Sequence, residues 1–290
     1  KARLAGWFAA QDFTEVECGI LQVSPGNEAH LHAFATKAEL PDGSRAALYL
    51  HTSPEFAAKK LLAAGEEKIF EFAHVFRNRE QGKLHAPEFT MLEWYRVRAD
   101  CRAVIADTLA LLRLAAQEAG KKLTYLDRDC DALAEAQWLT VADAFRIHAG
   151  VELLDTLSPQ GVGDRDMLAT RAKRAGFAIA DHDGWSDIFS KVLAASVEPR
   201  LGLGKPTVLY DYPRAEAALA RVKADDPRLA ERFELYACGV ELANGFGELT
   251  DAAEQRARFI AEMAEKERVH GDRYPLDEDF LKALENMPPA

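Results

Sequence analysis

The spacing of apolar residues changes several times along the chain. Residues 1–12 place Leu4, Trp7 and Phe8 on one helical face. Phe13–Glu17 then reads as a short strand. Residues 18–45 lose any period, and Pro25-Gly26 and Pro41-Asp42-Gly43 mark turns, so this stretch is expected to be irregular. Ala46–His51 returns to a strand pattern. Ser53-Pro54-Glu55 then opens a helix, with Ser53 as N-cap, proline at the first position and an acid in the first turn, and Gly65 closes it. Ile69–Arg77 and Phe89–Arg98 are two long β-runs joined by the polar stretch Asn78–Pro87, which predicts an antiparallel hairpin. Residues 101–119 form an amphipathic helix ending at Gly120, and 121–200 is mixed and mostly helical. Thr207–Tyr212 reads as a strand stopped by Pro213. Phe233–Phe246 reads as a second hairpin turning near Cys238-Gly239, and Thr250 caps a charged helix over 251–268. Strands, then helices, then strands, joined by hairpins, predict an α+β fold built on an antiparallel sheet flanked by helices.

Composition narrows the function more than the fold. Over 290 residues, 36 Lys and Arg face 47 Asp and Glu, a formal charge of −11. That balance argues against a general nucleic-acid binder, which needs basic surface to displace counterions. The four cysteines, Cys18, Cys101, Cys130 and Cys238, form no CxxC pair, so neither a zinc ribbon nor a disulfide framework is indicated, and a reducing cytoplasm is the expected setting. No run of 18 apolar residues and no leader pattern is present, so no membrane partner is expected.

Three segments carry chemistry. In Phe76-Arg77-Asn78-Arg79-Glu80, followed by His85 through Tyr95, an arginine at a strand end faces a polar loop, where its guanidinium can grip two phosphate oxygens. In 232–251, Glu234, Glu241 and Glu248 are spaced by seven. An odd spacing puts neighbours on opposite faces of one strand, but a turn at Cys238-Gly239 returns Glu241 to the face of Glu234. Two carboxylates on one face can hold Mg²⁺ bridged to phosphate. Leu50-His51-Thr52-Ser53-Pro54-Glu55, taken alone, is a strand-to-helix junction. His30 and His32 form an HxH pair without a third ligand and read as surface, His51 and the cysteines read as packed, and the Glu-rich final helix reads as a solvated face.

Together these segments resemble the catalytic domain of class II aminoacyl-tRNA synthetases, in its lysyl branch. Phe76-Arg77-Asn78 through Pro87-Glu88-Phe89-Thr90-Met91-Leu92-Glu93 is similar to motif 2, and Glu15-Val16-Glu17 to motif 1. The likeness is strongest to the short lysyl-tRNA synthetase paralogues that lysylate elongation factor P. It spans nearly the whole chain, above all 46–98 and 206–251. The resemblance implies one catalytic domain over 1–290 with a mostly helical insertion around 101–200, no anticodon-binding domain, a homodimer, and no tRNA partner. It implies ATP-dependent activation of lysine or β-lysine as an adenylate, followed by transfer to a lysine of elongation factor P. Arg77 would stabilise the charge that builds on the α-phosphate. Asn78, Arg79, Glu80, His85, Glu241 and Leu242 would lie along ATP, Glu234 and Glu241 would hold Mg²⁺, and Ser53, Pro54, Glu55, Tyr95 and Glu248 would grip lysine.

Some positions depart from the pattern. Gly19 stands in place of a motif 1 proline, Arg79 in place of a motif 2 glutamate, and Ala86 in place of an asparagine near the adenine. No Gly-rich motif 3 with its second ATP-binding arginine follows Glu285-Asn286-Met287-Pro288, so truncation or disorder of that segment is expected; Gly202-Leu203-Gly204-Lys205 does not replace it. Two alternatives stay open: a catalytic fragment of a lysyl-tRNA synthetase, and a non-catalytic synthetase-like regulator.

Overall fold

The computed structural model describes residues 1–290. In chain order its elements are α1 (Ala2–Ala10), β1 (Thr14–Glu15), β2 (Leu21–Gln22), β3 (Phe34–Glu39), β4 (Arg45–Leu50), α2 (Glu55–Ala63), β5 (Lys68–Phe76) and β6 (Glu88–Arg96). After these come α3 (Cys101–Ala119), β7 (Leu123–Tyr125), β8 (Arg128–Cys130), β9 (Gln137–Thr140), α4 (Val141–Ala149), α5 (Arg165–Arg174) and α6 (Trp185–Val192). The last are β10 (Thr207–Pro213), β11 (Leu229–Ala237), β12 (Val240–Phe246), α7 (Ala252–His270) and α8 (Glu278–Leu284). Mixed helices and mostly antiparallel sheets make this an α+β fold, as the pattern predicts. The chain divides into two compact units, Lys1–Arg98 with Leu249–Ala290, and Ala99–Glu248.

In the first unit, β5 and β6 form the expected antiparallel hairpin, in register from Lys68 opposite Arg96 to Phe76 opposite Glu88. β1 joins the outer edge of β5 in parallel. Phe8 of α1 is fully buried and stacks on Phe70 of β5 at 4.4 Å, which explains the helical apolar face at the N-terminus. On α2, Phe56 stacks on Phe280 of α8 at 4.1 Å. Residues 18–45 are more regular than expected. β3 pairs with β4 through the Pro41-Asp42-Gly43 turn, where Asp42 accepts the Ser44 N–H at 2.9 Å and Gly43 takes φ +82°. The apolar signal of Phe34–Glu39 is weak because that strand is mostly exposed. Helix α7, the charged helix of the sequence pattern, is capped by Asp251, one residue after the expected Thr250: its carboxylate accepts the Ala253 and Glu254 N–H groups, both at 2.9 Å. Its inner face buries Gln255, Phe259, Met263 and Lys266, so it is not merely a solvated face.

In the second unit, the sheet order is β12-β11-β10-β9, with β9 parallel to β10 and the other pairs antiparallel. α3 is capped by Asp100 and ends on Gly120 at φ +62°. The core gathers Leu139, Phe145, Leu153, Phe189, Val192 and Leu209. The β11–β12 hairpin turns at Cys238 and Gly239, both with positive φ, the geometry of a type I′ turn. Gly202 packs against the end of that hairpin: at φ +68°, a Cβ there would lie 2.4 Å from the Ala237 Cα. Gly202→Ala is therefore expected to destabilise the protein by at least about 2 kcal/mol in urea unfolding. An unchanged midpoint would contradict this packing.

Candidate functional site

β5 ends at Phe76 and delivers Arg77 into a fixed setting. The Arg77 N–H donates to the Pro87 carbonyl at 2.9 Å, and its Nε donates to the Thr52 carbonyl at 3.2 Å. The guanidinium lies 5.6 Å from the centre of the Phe89 ring. These contacts tie the strand end, the 50–54 junction and the start of β6 to one arginine. Asn78 donates its N–H to the His32 carbonyl at 2.7 Å, and its side-chain oxygen accepts the Arg79 N–H at 2.9 Å. Arg79 sits at φ +65° with an exposed side chain. Glu80 is half-buried, and His85 is exposed with its carbonyl accepting the Gly82 N–H at 3.2 Å.

Beside Arg77 the same unit builds a carboxylate pocket. Ser53 Oγ accepts the Glu55 N–H at 3.0 Å at the helix start, but the N-cap position falls on Pro54, one residue later than expected. The same hydroxyl donates to Glu93 Oε1 at 2.6 Å, and Tyr95 OH donates to Glu93 Oε2 at 2.5 Å. Glu93 and Tyr95 are two apart on β6 and so share a face. Glu55 pairs with Lys59, which is itself buried at 1% exposure. Pro54, between Ser53 and Glu55, is buried. Burial and the nearby Glu55 charge push the Glu93 carboxyl up to about 7, against the smaller opposing pull of Ser53, Tyr95 and Arg77. The sequence pattern singled out Ser53, Pro54, Glu55 and Tyr95 but gave Glu93 no role. An acid on an otherwise apolar strand, two residues before Tyr95, was the available signal.

The second unit holds the other predicted acids. The hairpin does return Glu241 to the face of Glu234: Glu241 stands opposite Tyr236, two residues from Glu234, with Leu242 absorbed by a bulge and 47% exposed. Glu234 is buried at 4% exposure, and both of its oxygens are engaged. Arg232 donates to Oε1 at 2.7 Å and Tyr236 OH donates to Oε2 at 2.6 Å. Arg232 also donates to the Glu216 carbonyl at 2.6 Å and lies 4.4 Å from the Tyr212 ring centre. Burial and the Glu234 charge raise the Tyr236 phenol far above its usual range, so it stays a donor. Glu198 is raised as well, by burial and by Glu234. Glu248 is buried at 5% exposure, and its backbone bridges Ala220.

A pair of carboxylates on one hairpin face fits Mg²⁺ in kind, since that ion uses one or two carboxylates and completes its shell with phosphate oxygens and water. No group of three His, Cys, Asp or Glu side chains forms a self-sufficient metal cage. The expected HxH pair does not act alone: His30 Nδ1 lies 3.2 Å from His270 Nε2, and the His32 ring meets His270 edge-on. His51 is packed, with Nε2 2.6 Å from the His74 carbonyl, and Cys18, Cys130 and Cys238 are buried free thiols. No helix is long and apolar enough to cross a membrane.

Comparison with known proteins shows the family. Residues 2–290 match the family described as tRNA synthetases class II (D, K and N). An elongation factor P–(R)-β-lysine ligase of Avibacterium paragallinarum is 37% identical over 284 residues, covering 98% of this chain and 81% of that protein. One from Haemophilus influenzae is 37% identical over 291 residues, covering 100% of this chain and 83% of the relative. One from Proteus mirabilis is 38% identical over 282 residues, covering 96% and 80%.

The raised Glu93 carboxyl sets a pH dependence. Below about 7 it keeps its proton, and above that value it is an anion that attracts an ammonium group. Affinity for an ammonium-bearing ligand is expected to rise between pH 6 and 8, with proton release on binding at pH 6, read by calorimetry in two buffers of different ionisation heat. Glu93→Gln should flatten that profile. A pH-independent affinity in the unsubstituted protein would contradict the assignment.

Proposed function

Because the chain belongs to the class II tRNA synthetases (D, K and N), within the branch of the elongation factor P–(R)-β-lysine ligases, we propose that it is an ATP-dependent ligase that activates (R)-β-lysine and attaches it to a lysine of elongation factor P. The observation that carries this reading is the placement of Arg77 beside a two-carboxylate pocket, Glu55 and Glu93, organised by Ser53 and Tyr95. An anion-gripping arginine next to a cation-seeking pocket suits a substrate with ammonium groups and a carboxylate that must meet ATP.

In the first step the substrate carboxylate attacks the α-phosphorus of ATP, and pyrophosphate leaves. Arg77 donates to the α-phosphate oxygens as negative charge builds on them. Its Nε–Thr52 bond holds it in place beforehand, so little reorganisation is needed. Asn78, Arg79, Glu80 and His85 flank the nucleotide, with Glu241 and Leu242 along it. Glu234 and Glu241 would hold Mg²⁺, which would offset phosphate charge. The Arg232 and Tyr236 contacts keep Glu234 oriented for that role. Glu55, Glu93 and Tyr95 receive the substrate ammonium groups. In the second step the ε-amine of a lysine on elongation factor P attacks the adenylate carbonyl. An amide forms, AMP leaves and the amine loses a proton. A homodimer, a cytoplasmic location and no role for tRNA belong to the same proposal.

Pyrophosphate exchange into ATP tests the first step. Exchange is expected to depend on (R)-β-lysine and to fall about 10²–10³-fold in Arg77→Ala with the fold retained. Exchange that survives that substitution would remove Arg77 from the chemistry. Binding of ATP and lysine without any exchange would favour a non-catalytic regulator, and efficient charging of tRNA would favour a synthetase fragment.

A further inference from the structure

Helix α7 carries a lysine whose surroundings differ from those of an ordinary surface lysine. Lys266 has 0% exposure. Its ammonium donates to the Leu31 carbonyl at 2.6 Å and the Ala29 carbonyl at 3.1 Å, and lies 4.7 Å from the centre of the Tyr274 ring. Two backbone carbonyls and an aromatic face take the place of a carboxylate partner. Burying an ammonium in this way costs stability that an apolar side chain of the same length would not.

The segment it grips is held at several other points from the same side. Asn27 Nδ2 donates to the Pro275 carbonyl at 3.2 Å, and the Ala29 N–H to Glu262 Oε2 at 2.9 Å. The His30 and His270 rings meet at 3.2 Å, and the Ala33 N–H donates to Tyr274 OH at 2.9 Å. Every one of these partners lies on α7 or just after it. On its other side the His32 carbonyl accepts the Asn78 N–H at 2.7 Å, next to Arg77. Asn78 in turn accepts the Arg79 N–H.

The geometry points to Lys266 as a positioning residue for the nucleotide: by fixing the Ala29 and Leu31 carbonyls it sets where His32 meets Asn78, and so the conformation of Arg77-Asn78-Arg79. The inference rests on the reading of 77–79 as part of the ATP site. Lys266 is fully buried and acts through the 29–32 backbone, while its charge also repels that of Arg79. A carbonyl pair gripped by one ammonium has a defined spacing, whereas an apolar contact would let the segment slide.

Calorimetry with ATP and with (R)-β-lysine on the unsubstituted chain, Lys266→Met and Lys266→Arg tests this. Lys266→Met is expected to weaken ATP about tenfold or more while (R)-β-lysine changes by less than about twofold, with Lys266→Arg restoring most of the loss. Amide exchange should rise at Asn78 and Arg79 in Lys266→Met and stay unchanged along β5 and β6. Equal ATP affinity, or equal losses for both ligands, in a folded Lys266→Met protein would overturn the inference. An unsubstituted chain that binds no ATP would instead overturn the functional reading, and the amide exchange would still decide whether the clamp exists. If Lys266→Met does not fold, Tyr274→Phe removes one bond of the same clamp. Unaltered exchange at Asn78 in that variant would overturn the inference.

Discussion

The first unit depends on a carboxylate that has hydroxyl partners but no cation bonded to it. Glu93 is held by Ser53 Oγ and Tyr95 OH, with Glu55 close enough to raise its pKa to about 7. Other acids are treated differently. Glu55 has Lys59, and in the second unit Glu234 has Arg232. Removing one partner of such a pair leaves an uncompensated buried charge. Glu93 is left with its charge incompletely balanced, and a ligand bringing an ammonium supplies the missing partner. That difference separates acids already paired with a cation from Glu93, whose partners are hydroxyls.

Ser53 makes this arrangement compact. One hydroxyl accepts from the start of α2 and donates to β6, so the helix start and the pocket share a hydrogen-bonded atom. Arg77 is tied to the carbonyl of the preceding residue, Thr52, whose own hydroxyl donates to Pro25 at 2.8 Å. The strand end that presents the arginine and the junction that presents the pocket are thus parts of one hydrogen-bonded frame. Helix α7 extends that frame to Asn78 through the 27–33 segment.

Much of this was legible in the sequence because it rests on local signals. The Cys238-Gly239 turn, the Asp100 and Gly120 boundaries of α3, and the long β5–β6 hairpin follow from side-chain period and turn chemistry. The pairing of Glu241 with the Glu234 face followed from the same turn. What stayed hidden depends on contacts distant in sequence. β3 is too exposed to show alternation, and α8 is a short helix whose Asp277 cap accepts the Phe280 N–H at 2.9 Å. The engagement of Glu234 by Arg232 and Tyr236 was within reach of i, i+2 reasoning on one strand, but Lys266 was not, since its carbonyl partners lie more than 230 positions away. Of the late Gly-rich stretch, Gly202 serves close backbone packing against the end of the β11–β12 hairpin.

The central claim is that the pocket and Arg77 together support transfer of an activated amino acid to a protein amine. The most direct measurement is the intact mass of elongation factor P after incubation with this chain, ATP and (R)-β-lysine. The expected result is the gain of one β-lysyl group on a single lysine, dependent on ATP and lost in Arg77→Ala. An unchanged mass with a chain that still exchanges pyrophosphate would contradict the assignment of elongation factor P as the acceptor.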